Sequence, residues 1–178
     1  QAPHLHHISN RRGQNIFDDF TGLSKIKDMI IDIAKGFLVE IGYVEQDCFF
    51  ADAWLNIANT GAVLTQHTHV NSFISGTYYI NYDPKIHSNL KFLNYRLLTM
   101  PTQPTLTIPT SNKQTSFNST EIKVDNHEGD IVLWKSHLIH GYGPNPSSGR
   151  ISLSFNIMPT TCSDGDIYAF NAVPYKNK

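Results

Sequence analysis

The chain has little charge, little cysteine and no long apolar run. Only 16% of its 178 residues are Asp, Glu, Lys or Arg, and 14 basic against 15 acidic side chains leave a formal net charge of -1. That balance excludes the broad basic footprint with which proteins neutralise phosphates, so no nucleic-acid partner is expected. No polybasic stretch offers itself to an anionic lipid surface. No apolar segment approaches the roughly 20 residues that cross a bilayer, and no signal-peptide pattern opens the chain. The two cysteines, Cys48 and Cys162, are too few and too far apart for a disulfide framework; one late bridge is the most they allow. The expectation is a soluble protein of a reducing, cytoplasmic compartment. The length fits one domain, 1–178, with enough chain to bury a core. No sequence feature specifies an oligomeric state.

What the chain does have is histidine, nine in all, and β texture. Residues 1–20 are polar and aperiodic and read as an irregular arm, with His4, His6 and His7 as solvated residues. A helix region follows over 21–41, capped by Thr21 or Ser24 and stopped at Gly42. Ile26, Met29, Ile30, Ile33, Ala34 and Phe37 recur in it at helical spacing, so one face should lie on a sheet. From 49 to 159 short runs rich in Val, Ile, Thr, Tyr and Phe alternate with turn signals: FFADAWLNIA, SFISGTYYINY, LKFLNYRLL, TEIKVDN, DIVLWKS and RISLSFNIMP. The Pro, Thr and Ser-rich stretch from Leu98 to Thr120 reads as a long surface loop, a candidate lid together with the arm. One helix before seven or eight short strands predicts a mainly β jelly roll or barrel with the helix packed outside.

Two strands carry a further signal. In RISLSFNIM, Ile151, Leu153, Phe155 and Ile157 share one face, and Arg150, Ser152, Ser154 and Asn156 share the other. In SFISGTYYIN, Ser75, Thr77, Tyr79 and Asn81 form a comparable partly polar face. In a small barrel such a face can line a wet, ligand-sized interior. Trp54 and Trp134 read as core.

Three pieces carry candidate chemistry. His67 and His69, in QHTH, are two apart, and on extended chain both imidazoles can reach one metal ion. SHLIHGYGPN holds His137 and His140 after the strand DIVLW. Arg150 then follows His140 by ten residues and opens an Arg-x-Ser pair with Ser152. Singly, each has a bland reading: chance strand histidines, a satisfied core histidine, a rim charge. Their order and spacing make the combination specific.

Over QHTHVNSFISGTYYINYDP and EGDIVLWKSHLIHGYGPNPSSGRISLSFNI, and more loosely AWLNIANTG, the sequence resembles the 2-oxoglutarate- and Fe(II)-dependent oxygenases, in the branch related to prolyl 4-hydroxylases. The likeness spans Ala53 to Pro159. It implies a double-stranded β-helix of the cupin-like kind holding Fe(II), with 2-oxoglutarate deeper inside and O2 as the oxidant. It also implies a small-molecule or peptide substrate that is hydroxylated, with succinate and carbon dioxide released. His67 matches the first iron ligand and His140 the distal histidine, favoured over His137 by its spacing to Arg150. Arg150 and Ser152 match the pair that grips the far carboxylate of 2-oxoglutarate. Asn56 and Tyr79 are candidates to hydrogen-bond the same molecule, or else a polar strand residue and a core tyrosine.

His69 departs from the family pattern, in which Asp or Glu stands two residues after the first histidine. Three readings follow: His69 is a neutral third ligand, or it sits behind a site of two histidines and water, or the site has lost activity. Two functional alternatives stand beside the oxygenase. A three-histidine cupin-type dioxygenase acting on a thiol or diketone would need no 2-oxoglutarate, but it leaves Arg150 and Ser152 without a task. A jelly-roll binding module would need no iron, because fold alone does not fix function.

Overall fold

The computed structural model describes residues 4–9, 15–94, 111–113, 115, 118–164 and 167–174. Two sheets make the body. The larger has the order β1(Leu5–Ile8), β2(Cys48–Ala58), β9(Arg150–Pro159), β4(Ile74–Asn81), β7(Ile131–Lys135). The smaller runs β3(Leu64–His67), β8(His140–Tyr142), β5(Lys91–Leu93), β6(Glu121–Lys123). All strand pairings are antiparallel. This is a mainly β jelly roll, and α2(Ser24–Glu40) lies outside it.

The helix forms because its apolar residues repeat every four. Ile30, Ala34 and Leu38 are buried to the last per cent against Phe50, Ala53, Ile74, Leu153, Phe155 and Ile157 of the large sheet, with Ile26 and Phe37 beside them. Met29 and Ile33, expected on that stripe, stand 41% and 39% exposed, because the buried line follows positions 26, 30, 34 and 38. The helix end is as expected: Gly42 has φ +90, its N–H bonds Val39 O at 3.0 Å, and the Tyr43 N–H bonds Leu38 O at 2.8 Å. The start differs. A 3-10 turn over Thr21–Leu23 leads into it, and Leu23 occupies the cap position without a side-chain bond, so neither Thr21 nor Ser24 caps it.

Strand β9 divides the molecule. Its apolar residues face the helix, and its polar residues face the space between the sheets. A bulge between Phe50 and Asp52 rephases β2 to match. Before it Cys48 and Phe50 join the helix-facing core; after it Ala53 and Leu55 do, and Asp52, Trp54 and Asn56 turn inward.

The arm is not irregular where it is described. Leu5 is an apolar inward residue that packs on Ala58 and Ala62, so β1 adds to β2 in register from Leu5↔Ala58 to Ile8↔Leu55. A single turn of helix, α1(Ile16–Asp19), follows, its first turn capped by the Asn15 side chain on the Phe17 N–H at 3.0 Å. A hairpin, β10(Thr161–Asp164) and β11(Tyr168–Asn171), continues past the expected end at 159. Strands β3 and β8 were not separable from loops in the sequence, and most of the Leu98–Thr120 loop lies outside the described residues.

Gly76 of β4 lies under the Phe155 ring, and a β-carbon there would be driven into that ring and into Leu133. Gly76→Ala is expected to lower unfolding stability by about 1–3 kcal/mol. Urea denaturation should show an earlier midpoint with an unchanged slope.

Candidate metal centre

The two inner faces enclose a cavity of about 470 Å³, within the usual range for small-molecule sites. Its floor is the polar face of β9 with the residues paired to it. Ser152 lies opposite Asn56 and Tyr79, Ser154 opposite Trp54 and Thr77, and Asn156 opposite Asp52 and Ser75. The small sheet supplies the facing wall.

His67 ends β3 and His140 opens β8, and the two are direct partners across that ladder. His69 lies just past β3, held by its backbone N–H on Ser136 O at 3.0 Å. The candidate ligand atoms of the three lie within 4.8 Å of one another. Ring centroids are 4.4 Å apart for His67 and His140, 4.9 Å for His67 and His69, and 5.2 Å for His69 and His140. His137 is exposed on the preceding turn and takes no part. The strand holding His140 passes so close to β3 that a β-carbon on Gly141 would stand 2.5 Å from Leu64 O.

Two of the imidazoles are oriented by the backbone. His67 Nδ1 donates to Thr65 O at 2.8 Å and His140 Nδ1 to Leu138 O at 2.8 Å. Each Nε2 is then the bare lone-pair nitrogen a metal requires. His69 is held differently: its Nδ1 faces the Asn156 side-chain amide at 3.2 Å. Behind Asn156 a buried chain runs through Ser75 at 2.7 Å to Ser136 at 2.8 Å and on to Ser72 at 2.8 Å. Burial, with the neighbouring His140 and His67 adding to it, pushes His69 down to about 4. Burial also brings His140 down to about 4, against the opposing pull of the Leu138 carbonyl. At neutral pH both rings are therefore uncharged and free to ligate.

The other pole of the cavity is cationic. Arg150 is 2% exposed and stacked among three rings, its Cζ 4.4 Å from the Tyr142 centroid, 5.4 Å from Tyr79 and 5.6 Å from Tyr82. Its guanidinium donates from Nε to Ser88 O at 3.3 Å and from an Nη to Ser152 Oγ at 3.4 Å. Among the described residues no carboxylate pairs with it. A buried charge with unused donors is costly unless an anion meets it. The Tyr79 hydroxyl, also lining the cavity, is buried with no hydrogen-bond partner, and burial holds this phenol well above its usual range. An unpaired guanidinium, a serine hydroxyl and an orphaned phenol fit a bound carboxylate.

Asn56 is engaged on both ends of its amide. Its Oδ1 meets His7 Nδ1 at 2.6 Å and Trp54 Nε1 at 3.0 Å, and its Nδ2 donates to Ser154 Oγ at 2.7 Å. His7 is thus half-buried in the cavity wall, not solvated. Trp54 and Trp134 both line the cavity; Trp134 is buried as expected, and Trp54, expected in the core, is only half-buried. Asn156 lines it as the polar face of β9 predicted, whereas sequence reasoning passed over Asp52 and Tyr142, which line it too.

A family model described as "Putative 2OG-Fe(II) oxygenase" matches residues 52–156, the stretch that runs from Asp52 to Asn156 across the cavity floor. The chain belongs to this oxygenase family. No curated protein matches the sequence. Among solved structures, HygX from Streptomyces hygroscopicus with nickel and 2-oxoglutarate bound is 12% identical, with a TM-score of 0.54, over 98% of this chain and 80% of that one. A Pseudomonas putida prolyl-4-hydroxylase is 17% identical over 87% and 71%, with a TM-score of 0.46. A 2OG-Fe(II) oxygenase family oxidoreductase from Burkholderia pseudomallei is 8% identical with a TM-score of 0.48, and the chain spans 51% of its length. At such identity the likeness to HygX shows that the oxygenase shares its fold. Among the described residues no helix is long and apolar enough to cross a membrane.

Two measurements follow from the histidines. His140→Ala should weaken Fe(II) binding by about 100-fold or more and His137→Ala should leave it unchanged, read by anaerobic calorimetry. The second concerns metal-free protein. His69 and His140 bind a proton near pH 4 when folded and near 6.5 when unfolded. The unfolded chain therefore takes up more protons between those values. Stability in urea should be full above about pH 6.5 and decline as the pH falls toward 4.

Proposed function

We propose that the oxygenase binds Fe(II) and 2-oxoglutarate in this cavity and hydroxylates a small-molecule or peptide substrate. The observation that carries the reading is Arg150, a buried guanidinium without a carboxylate partner among the described residues, in the same cavity as three clustered histidines. Iron and 2-oxoglutarate together supply oxygen activation, with succinate and carbon dioxide as co-products.

The chain's own residues do the positioning. His67 and His140 present bare Nε2 atoms, fixed by Thr65 O and Leu138 O. His69 takes the place where the family pattern has a carboxylate, and a neutral ligand there leaves the centre one charge more positive, which favours a dianionic co-substrate. For His69 to ligate through Nε2 its Nδ1 must hold the proton, and Asn156 must then turn its amide oxygen to the ring. Arg150 and Ser152 take the far carboxylate, and Tyr79 offers the remaining hydrogen bond. Asn56 enters this reading as a wall residue that steadies Ser154 and Trp54.

The three-histidine dioxygenase is the reading to be separated from this one, since a neutral cluster is what such an enzyme would use. It leaves the Arg150 charge unanswered. With Fe(II) and oxygen supplied, the oxygenase should convert 2-oxoglutarate to succinate, detected by proton NMR. Succinate output should fall by about 100-fold or more in His140→Ala. Arg150→Met should raise the 2-oxoglutarate KM by about tenfold or more. Oxygen uptake without succinate would support the dioxygenase instead.

A further inference from the structure

The cavity has two charged poles, and the proposed function uses only one. Among the described residues Arg150 is the only arginine or lysine lining it, and Asp52 the only acid. They lie at opposite ends of the floor. Arg150 pairs with Ala58 and Asn156 with Asp52 across the same ladder, so six residues of β9 separate the two poles. At about 3.4 Å per residue that is roughly 20 Å of strand. The histidine cluster meets the floor at the Asp52 end, through the contact of His69 with Asn156.

Asp52 is under-used by its own protein. Its Oδ2 accepts from Asn71 Nδ2 at 3.3 Å, and Oδ1 is shielded from water with no hydrogen-bond partner. Among the described residues it forms no ion pair and does not join the histidine cluster as a fourth metal-ligating group. Burial pushes its carboxyl up, against a smaller opposing pull from the Asn156 and Asn71 side-chain amides. Two residues along the same inward face stands Trp54, whose indole N–H is tied to Asn56 Oδ1 at 3.0 Å and whose ring is 5.9 Å from that of His69. A carboxylate beside a fixed indole is a recognition pair for an ammonium group, which donates a charge-assisted hydrogen bond to the one and makes a cation–π contact with the other. Held between the histidine cluster and Arg150, the 2-oxoglutarate dianion is repelled by the Asp52 carboxylate itself, which is left to another molecule.

We infer that Asp52 and Trp54 form the substrate subsite of the oxygenase and select a substrate carrying a primary or secondary ammonium group near the carbon that is oxidised. As a substrate assignment this rests on the oxygenase reading; as a binding site it stands on the cavity alone. Asp52 keeps 2-oxoglutarate and substrate in opposite orientations by charge. Its broad terminal torsion lets either oxygen turn to the ligand.

The test uses three probes of equal length, pentylammonium, pentanol and pentanoate, titrated calorimetrically into the anaerobic protein loaded with Fe(II) and 2-oxoglutarate. Pentylammonium should bind, and the other two at least about tenfold more weakly. Asp52→Asn keeps the shape and the Asn71 contact and should cost pentylammonium about tenfold, and Trp54→Leu a few-fold, while 2-oxoglutarate affinity stays unchanged in both. Asp52→Lys should reverse the preference toward pentanoate. Equal binding of pentanol and pentylammonium would overturn the inference, as would indifference to Asp52→Asn. A loss of 2-oxoglutarate binding in Asp52→Asn would also overturn it, by assigning Asp52 to the co-substrate. The titration is repeated on metal-free protein. If the wild type fails to bind 2-oxoglutarate, the oxygenase reading fails, and the metal-free titration still decides the ammonium site.

Discussion

A guanidinium buried among three tyrosine rings, with no carboxylate among the described residues to meet it, is the constraint around which this molecule is arranged. Taking a unit charge out of water costs several kcal/mol even after relaxation. The fold meets part of that with the Ser88 carbonyl, the Ser152 hydroxyl and the faces of Tyr79, Tyr82 and Tyr142. The remaining donors of Arg150 meet no carboxylate among the described residues, and an anion entering the cavity would satisfy them. A binding site therefore follows from the same interaction that threatens the stability of the sheet. The strand can tolerate it because its other face is among the best-packed parts of the core, with Leu153, Phe155 and Ile157 all at 2% exposure or less.

The period of the β-strand lets both demands be met at once. Because successive side chains point to opposite faces, one ten-residue strand, β9, serves the hydrophobic core and the polar cavity without compromise between them. The bulge in β2 keeps its neighbour in phase, so that Asp52, Trp54 and Asn56 share the cavity with Ser152, Ser154 and Asn156. The histidines come from the thinner sheet, where the strands are three or four residues long and the backbone carbonyls of Thr65 and Leu138 lie free to orient the rings. Rigid packing on one side and short, capped strands on the other give a wall that holds and a wall that positions.

Much of this was legible in the sequence, and the reasons are local. The jelly roll, the outside helix and the two faces of β9 followed from periodicities of 3.6 and 2 in segments long enough to show them. The histidines and Arg150 followed from their order, and the structure brings His67, His69 and His140 together while leaving His137 outside. Strands β3 and β8 were missed because three or four residues do not express a period. The pairing of β1 was missed because it depends on one buried residue, Leu5, and on a partner fifty residues away. Asp52 was missed because the bulge shifts the alternation of β2, so that FFADAWLNIA read as a single pattern puts it on the wrong face. The role of His7 depends on a tertiary contact with Asn56 that no local pattern announces.

The central claim is that the charge on Arg150 is answered by 2-oxoglutarate chelated at the histidine-held iron. The direct measurement is an anaerobic titration of the Fe(II)-loaded protein with 2-oxoglutarate, followed by visible absorption, in wild type and Arg150→Met. The account predicts a weak charge-transfer band that saturates in the wild type and needs about tenfold or more 2-oxoglutarate in the variant. Bound iron with no such band, or a band indifferent to the loss of Arg150, would contradict it.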